Sequence, residues 1–302
     1  MPADHRSGFV AVLGKPNVGK STLMNAFVGQ KIAIVSDKPQ TTRRRILGIL
    51  TIPQAQIIFV DTPGIHKPRH RLGEYMVETA VRTVPDSDLI LFLVDVSQPP
   101  TRADEWIARL LREQAQAPVV LVLNKVDLLA PEDVEPHYQA YSQLVEHADG
   151  IMISATRGDN RDKLLEMVID QLPIGPQYYP ADQVTDQPER VIAAELVREQ
   201  ALRFTYQEVP HSLEVVVEEF KERKEDLFYI KAIIFVERDS QKGIVIGAKG
   251  AMLKKIGQAA RQELERFVGR RVYLDLWVKV RPKWRRDEKE LRRLGYVLPK
   301  AS

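Results

Sequence analysis

The chain has 302 residues, 44% of them hydrophobic, and a formal net charge of +3. That length supports a sizeable core and favours two domains over one. It contains no cysteine, which excludes disulfides, thiolate metal sites and cysteine nucleophiles and points to a reducing compartment.

The start, "MPADHRSGF", has no apolar signal-peptide core. Apolar runs such as "LILFLV" (89–94) are far short of the ~20 residues that cross a bilayer. A cytoplasmic protein is expected, with membrane contact peripheral at most. The first predicted element is the strand "FVAVLG" (9–14), which runs into "GKPNVGKS" (14–21) and then the helical pattern "STLMNAFVG" (21–29). A G-x-x-x-x-G-K-[ST] loop between a strand and a helix is a phosphate cradle. Gly14, Lys15, Pro16, Asn17, Val18 and Gly19 form the loop, and its inward N–H groups meet phosphate oxygens. Lys20 reaches the β and γ phosphates, Ser21 offers a hydroxyl to Mg²⁺, and Thr22 is placed for the α phosphate.

"PQTTRRR" (39–45) follows in a polar stretch before the next strand. Thr42, with Thr41 beside it, is the candidate for a second Mg²⁺ hydroxyl. The arginines at 43–45 are expected to be solvated or to face RNA rather than to act in catalysis. The strand "AQIIFVDTPG" (55–64) ends in Asp61, Thr62, Pro63 and Gly64. Asp61 is placed to hold Mg²⁺ through water, and the Gly64 N–H to meet the γ phosphate. Both segments are of the kind that γ phosphate orders and hydrolysis releases.

A helix over 74–84, a strand over 87–96 and a helix over 103–114 precede "APVVLVLNKVD" (117–127). Asp127 can accept from N1–H and the 2-amino group of guanine, whereas adenine would leave that carboxylate unpaired. An N-cap is the alternative for Asp127. Asn124 braces the base edge and the phosphate loop, and Lys125 lays its stem over the purine. The strand "GIMISA" (150–155) brings Ser154, Ala155 and Thr156, with the Ala155 N–H aimed at the guanine 6-oxo group. Short, continuous hydrophobic strands alternating with helices predict an α/β P-loop domain over 1–172, with a mostly parallel sheet. Its ligands lie beyond the carboxyl ends of the strands.

The proline-rich stretch 173–189 reads as a linker. Beyond it come a helix (190–205), two alternating strands (212–220 and 227–238), "VIGAKG" (245–250), a long helix (251–268) and a strand (270–280). The order α-β-β-α-α-β predicts a smaller α+β unit over 190–302. A G-x-x-G loop between helices in such a unit clamps a single-stranded backbone in KH domains, here of the type II order. Alone it reads as a turn. Residues 242–302 carry 17 Lys+Arg against 6 Asp+Glu, a balance of +11 that leaves −8 for the rest. That makes RNA the expected ligand. The RNA-binding residues are Gly247, Ala248, Lys249 and Gly250, the groove-walling Ile244 and Ile246, and Lys254 and Lys255 on a following helix that also carries the basic Arg261 and Arg266. The basic tail 281–296 offers Trp284 and Tyr296 for stacking or, as favoured here, for core packing. The six histidines form no pattern with metal-ligand spacing.

"GKPNVGKS", "TT", "DTPG", "NKVD" and "SA" in this order resemble a translation-factor-class small GTPase. With the KH-like unit, the chain from about 8 to 298 resembles the Era family of bacterial GTPases. The resemblance implies GTP hydrolysis with GTP/GDP and Mg²⁺, with Lys20, Thr42, Asp61, Gly64 and Asn17 as the catalytic set. It also implies a partner in the 3′ end of small-subunit ribosomal RNA and a role in small-subunit assembly, with peripheral inner-membrane association and a monomeric state. Ile65 stands where Ras-type proteins place a water-orienting glutamine, so slow intrinsic hydrolysis is expected. Asn17 matches an asparagine that helps related GTPases hold K⁺, or it only shapes the loop. Two alternatives stand beside this reading: a membrane-attached regulatory GTPase, and an RNA binder that uses nucleotide as a structural ligand.

Overall fold

The computed structural model describes residues 4–297, so the extreme ends of both predicted domains lie outside the described residues. The chain divides into two compact units. The first comprises residues up to 33, 42–69 and 73–186. The second comprises 34–41, 70–72 and the chain from 187 onward.

The first unit carries β1 (Arg6–Leu13), α1 (Lys20–Val28), β2 (Ile46–Ile52), β3 (Ala55–Asp61), α2 (Arg71–Thr83), β4 (Leu89–Asp95), α3 (Arg102–Gln114), β5 (Val119–Asn124), α4 (Val134–Ser142), β6 (Asp149–Ile153) and α5 (Arg161–Gln171). The first two residues of α2 cluster with the second unit. The sheet order is β2-β3-β1-β4-β5-β6. All neighbours are parallel except β2 and β3, which are antiparallel. Alternate residues of β1 explain the unbroken hydrophobic runs. Val10 and Val12 enter one buried cluster and Ala11 and Leu13 the other, so both sheet faces are covered. The nucleotide motifs follow the carboxyl ends of β1, β3, β5 and β6, and β1 lies at the point where strand order reverses.

The stretch read as a linker differs from that reading. Residues 173–186 belong to the first unit. Gln56 Oε1 accepts the N–H groups of Tyr178 and Tyr179, at 2.6 and 2.9 Å, and Ile49 N–H donates to Val184 O at 2.8 Å. Tyr179 packs on Leu47, Ile49, Ile58 and Val60. Proline and polar residues here mark an extended cover over one edge of the sheet, which composition alone does not separate from a tether.

The second unit contains α6 (Glu189–Phe204), α7 (Val209–Ser212), β7 (Glu214–Lys224), β8 (Leu227–Val236), α8 (Asp239–Ile246), α9 (Ala251–Val268), β9 (Arg271–Val280) and α10 (Glu288–Arg293). Its sheet order is β7-β8-β9, antiparallel then parallel. Even-numbered residues of β8 and β9 face a core filled by α6 and α9. The predicted α-β-β-α-α-β order is present, with two short helices added. Trp284 and Tyr296 are buried and stacked, with ring centroids 6.4 Å apart. Trp284 Nε1–H donates to Ser212 O at 2.9 Å, and Tyr296 O–H donates to Glu214 Oε2 at 2.7 Å. Both aromatics are core residues, so the basic tail is a packed element of this unit.

Candidate functional site

The phosphate loop turns between β1 and α1. Gly19 adopts φ +104°, and a Cβ there would lie 2.3 Å from Asn124 Nδ2, so only glycine fits. Asn17 takes a left-handed φ of +64° and is exposed. Lys15 Nζ is held by the buried carboxylate of Asp104 on α3, at 2.9 Å. Lys20 Nζ donates to the carbonyls of Gly14 and Lys15, at 3.1 and 3.0 Å. Those bonds fold the ammonium back over the mouth of the loop, where phosphate oxygens would replace them. Burial lowers the Lys20 pKa to about 8 against the pull of Asp61. Burial likewise raises that of Asp61 to about 6 against Lys20.

Ser21, Thr42 and Asp61 come from α1, the loop before β2 and the end of β3. Their oxygens converge: Ser21 Oγ donates to Asp61 Oδ2 at 2.6 Å, and Thr42 Oγ1 lies 2.9 Å from Ser21 Oγ and 3.5 Å from Asp61 Oδ2. The second carboxylate oxygen, Asp61 Oδ1, is buried without a hydrogen-bonding partner among the described residues. Two hydroxyls and a carboxylate with an unsatisfied oxygen suit a hard cation that keeps several waters. The residues present therefore fit Mg²⁺, which when bound would neutralise charge developing on the γ phosphate. Thr62 Oγ1 donates to Val12 O at 2.8 Å and fixes the start of "DTPG". Gly64 lies against Pro16, where a Cβ would meet backbone at 2.6 Å. Ile65 is fully buried in the core and presents no polar atom to water.

Base-side groups are braced in the same way. Asn124 is buried; its Nδ2 donates to Val18 O at 2.7 Å, and its Oδ1 accepts Ala155 N–H at 2.9 Å. The donor that sequence reasoning reserves for the guanine 6-oxo group is thus held by Asn124, and a base would have to share it. Lys125 adopts φ +70°, and its Nζ pairs with Asp95 Oδ2 at 2.6 Å, which leaves the alkyl stem as the surface for a purine. Burial works to raise the Asp95 pKa, but Lys125 and Ser97 outweigh it and hold the carboxyl below its usual value. Asp127 is half-buried with Arg157 Nε 3.7 Å away. Buried Ser154 accepts Arg157 N–H at 3.0 Å on its hydroxyl, and Thr156 is exposed. Sequence reasoning missed Asp95 and Asp104, the carboxylates that orient Lys125 and Lys15. The available signal for Asp95 was a carboxylate ending a buried strand. Arg43 departs from expectation: it is buried rather than solvated.

In the second unit the G-x-x-G loop joins α8 to α9. Gly247 has φ +72°, with a Cβ position 2.7 Å from Met252; Gly250 has φ +80°. Lys249 is exposed with φ +51°. Ile244 is exposed, whereas Ile246 packs partly on the core. Ala248 and Lys254 are exposed. Lys255 lies over the Phe204 ring, 4.4 Å from its centroid. Arg261 and Arg266 pair with Glu265 and Glu263 on their own helix. Lys249, Lys254 and Lys255 are all exposed.

Fold and site together define a P-loop GTPase joined to a KH domain. The family described as 50S ribosome-binding GTPase matches residues 9–125, and the KH domain family matches 208–285. The chain is 49% identical to GTPase Era of Heliobacterium modesticaldum over 291 residues, covering 96% of this chain and 97% of that one. It is 52% identical to GTPase Era of Geotalea daltonii over 290 residues, with the same coverage. Its structure matches a crystal structure of Era in complex with MgGDPNP and nucleotides 1506–1542 of 16S ribosomal RNA. The TM-score is 0.92 at 43% identity, over 97% of this chain and all of that one. A point variant of Aquifex aeolicus Era bound to GDP·AlF4⁻ matches at TM-score 0.92 and 42% identity, with the same coverage. The chain belongs to the Era family of GTPases. It hydrolyses GTP to GDP and phosphate, with Mg²⁺ as its metal.

Proposed function

We propose that this chain is a GTP-hydrolysing switch that binds the 3′ end of small-subunit ribosomal RNA and assists assembly of the small subunit. The observation that carries this reading is the exposed loop 247–250, which offers Lys249, two positive-φ glycines and the apolar Ile244 on a unit separate from an intact nucleotide site. That combination suits a single-stranded backbone with a base against Ile244. The relative that holds nucleotides 1506–1542 of 16S ribosomal RNA supplies the identity of the RNA. Lys20, Ser21, Thr42 and Asp61 supply the hydrolytic chemistry, and the Gly64 N–H and Ala155 N–H serve the γ phosphate and the base. Asp127 selects guanine, and Asn17 holds K⁺ near the phosphates. An RNA binder with a merely structural nucleotide would not need three converging Mg²⁺ oxygens. The site of action is cytoplasmic, with peripheral contact at the inner membrane. Among the described residues no helix is long and apolar enough to cross a membrane.

The test is GTP hydrolysis by the full chain with and without an oligonucleotide matching the 3′ end of small-subunit ribosomal RNA, in K⁺ and then in Na⁺. Stimulation by that RNA and not by a scrambled one is the expected result. Equal rates, despite saturating RNA, would remove the switch from this reading. Binding to anionic vesicles in place of RNA would favour the membrane-attached alternative.

A further inference from the structure

Residues 34–41, which lead into the Mg²⁺ hydroxyl of Thr42, cluster with the second unit rather than the first. Ile34 is part of that unit's core. The helix that fills this core, α6, is apolar inward over most of its length. At its centre it nevertheless carries three consecutive buried polar residues: Arg198 at 0%, Glu199 at 6% and Gln200 at 4% exposure. Burying such groups is costly unless each finds a partner. Arg198 and Glu199 each reach one end of segment 34–41 as well as neighbours on α6. Glu199 Oε1 accepts Val35 N–H at 3.0 Å, and Gln200 Nε2 steadies Glu199 Oε2 at 3.1 Å. Arg198 Nη2 donates to Thr41 O. Its fork is oriented by Glu195, with Nε on Oε1 at 3.0 Å and Nη2 on Oε2 at 2.6 Å.

Thr41 O belongs to the peptide group whose other half is the Thr42 N–H. Because that group is planar, fixing the oxygen fixes the direction in which residue 42 leaves it. Thr42 Oγ1 is the oxygen 2.9 Å from Ser21 Oγ and 3.5 Å from Asp61 Oδ2. Replacing a buried ion pair by well-packed apolar side chains is often neutral or stabilising, so burial of Arg198 with Glu195 is weak evidence for a purely stabilising role.

We propose that Arg198 is a positioning residue for the Mg²⁺ hydroxyl of Thr42, acting through the Thr41 carbonyl; this rests on the reading of Thr42 as a Mg²⁺ ligand. A group that acts only with γ phosphate present must change GTP-form binding and leave GDP binding alone. A group that merely holds the fold together changes both equally.

The experiment measures affinities of the full chain for GDPNP and for GDP, and the Mg²⁺ concentration that half-saturates GDPNP binding. The variants are Arg198→Lys, Thr42→Ala and the two combined. Lysine keeps a positive charge beside Glu195 but cannot reproduce the fork. Arg198→Lys should lower the GDPNP-to-GDP affinity ratio about tenfold, within the usual range of coupling between sites, and raise the Mg²⁺ requirement, with GDP affinity within about twofold of parental. The combined variant should be no worse than Thr42→Ala alone, since both changes act through one oxygen. If Arg198→Lys fails to fold, Arg198→Met with Glu195→Gln removes both charges and takes its place. An unchanged ratio in a folded Arg198 variant, where Thr42→Ala does lower it, overturns the proposal. An unchanged ratio in Thr42→Ala overturns the reading of Thr42 and the proposal with it. Additive losses in the combined variant also overturn it.

Discussion

Asn124→Ala removes a side chain that ties the phosphate loop to the base-side loop. Two hydrogen bonds disappear, to Val18 O at 2.7 Å and from Ala155 N–H at 2.9 Å. Asn124, Val18 and Ala155 are all buried, at 2%, 0% and 3% exposure. The variant therefore leaves a carbonyl and an N–H unsatisfied inside the first unit. Each lost bond is worth about 0.5–1.5 kcal/mol net, and an orphaned buried partner adds to that cost. The expected loss is about 2–4 kcal/mol for the nucleotide-free chain, read by urea unfolding with hydrogen exchange at β5 to identify the first unit's transition. The Cβ position of Gly19 lies 2.3 Å from Asn124 Nδ2, so the loop also loses its lateral support. GDP affinity should fall at least about tenfold, equivalent to about 1.4 kcal/mol. Preference for guanine over adenine should persist, because Asp127 remains. Stability within about 0.5 kcal/mol of parental would refute the reasoning if GDP affinity also stayed within about twofold.

Asp127→Asn exchanges an acceptor pair for one acceptor and one donor, so GTP affinity should fall about 10²-fold or more while xanthine nucleotides gain; unchanged GTP affinity would remove the base-recognition argument. Because Arg157 on the far side of Asp127 is exposed, little stability should be lost with that pair. Lys249→Glu with Gly250→Asp should weaken RNA binding at least about tenfold and spare nucleotide affinity, and parental RNA affinity would reduce the loop to a turn. Asn17→Ala should abolish K⁺ stimulation of hydrolysis, an outcome that comparing rates in K⁺ and Na⁺ decides. With its pKa lowered to about 8 by burial, Lys20 is about half neutral at pH 8, and bound phosphates restore the ammonium. Nucleotide binding at pH 8 should then take up ~0.5 proton, falling to about a tenth at pH 7. Calorimetry in buffers of different ionisation enthalpy measures this, and proton release at pH 8 would contradict the assigned sign.

Much of this molecule is legible in one dimension because its chemistry lies in short contiguous motifs at strand ends. The loop 14–21, "DTPG", "NKVD" and "SAT" are each placed by a buried strand whose hydrophobic run is visible in the sequence, and the α-β-β-α-α-β order of the second unit is visible in its periodicity. What the sequence could not disclose are pairings across long separations. Asp95 and Asp104 become the partners of Lys125 and Lys15 only when β4 and α3 pack beside the site. The covering role of 173–186 depends on Gln56 and Tyr179. Arg261 and Arg266 lie beside glutamates on their own helix and stay exposed, a placement that a net charge does not show. Arg43 reads as a solvated charge and is buried, as is Arg198 on α6. Motifs are local because a phosphate or a base must be met by consecutive backbone groups. The ion pairs, the buried arginines and the hold on residues 34–41 are tertiary, because a charge is buried only where the fold brings it a partner.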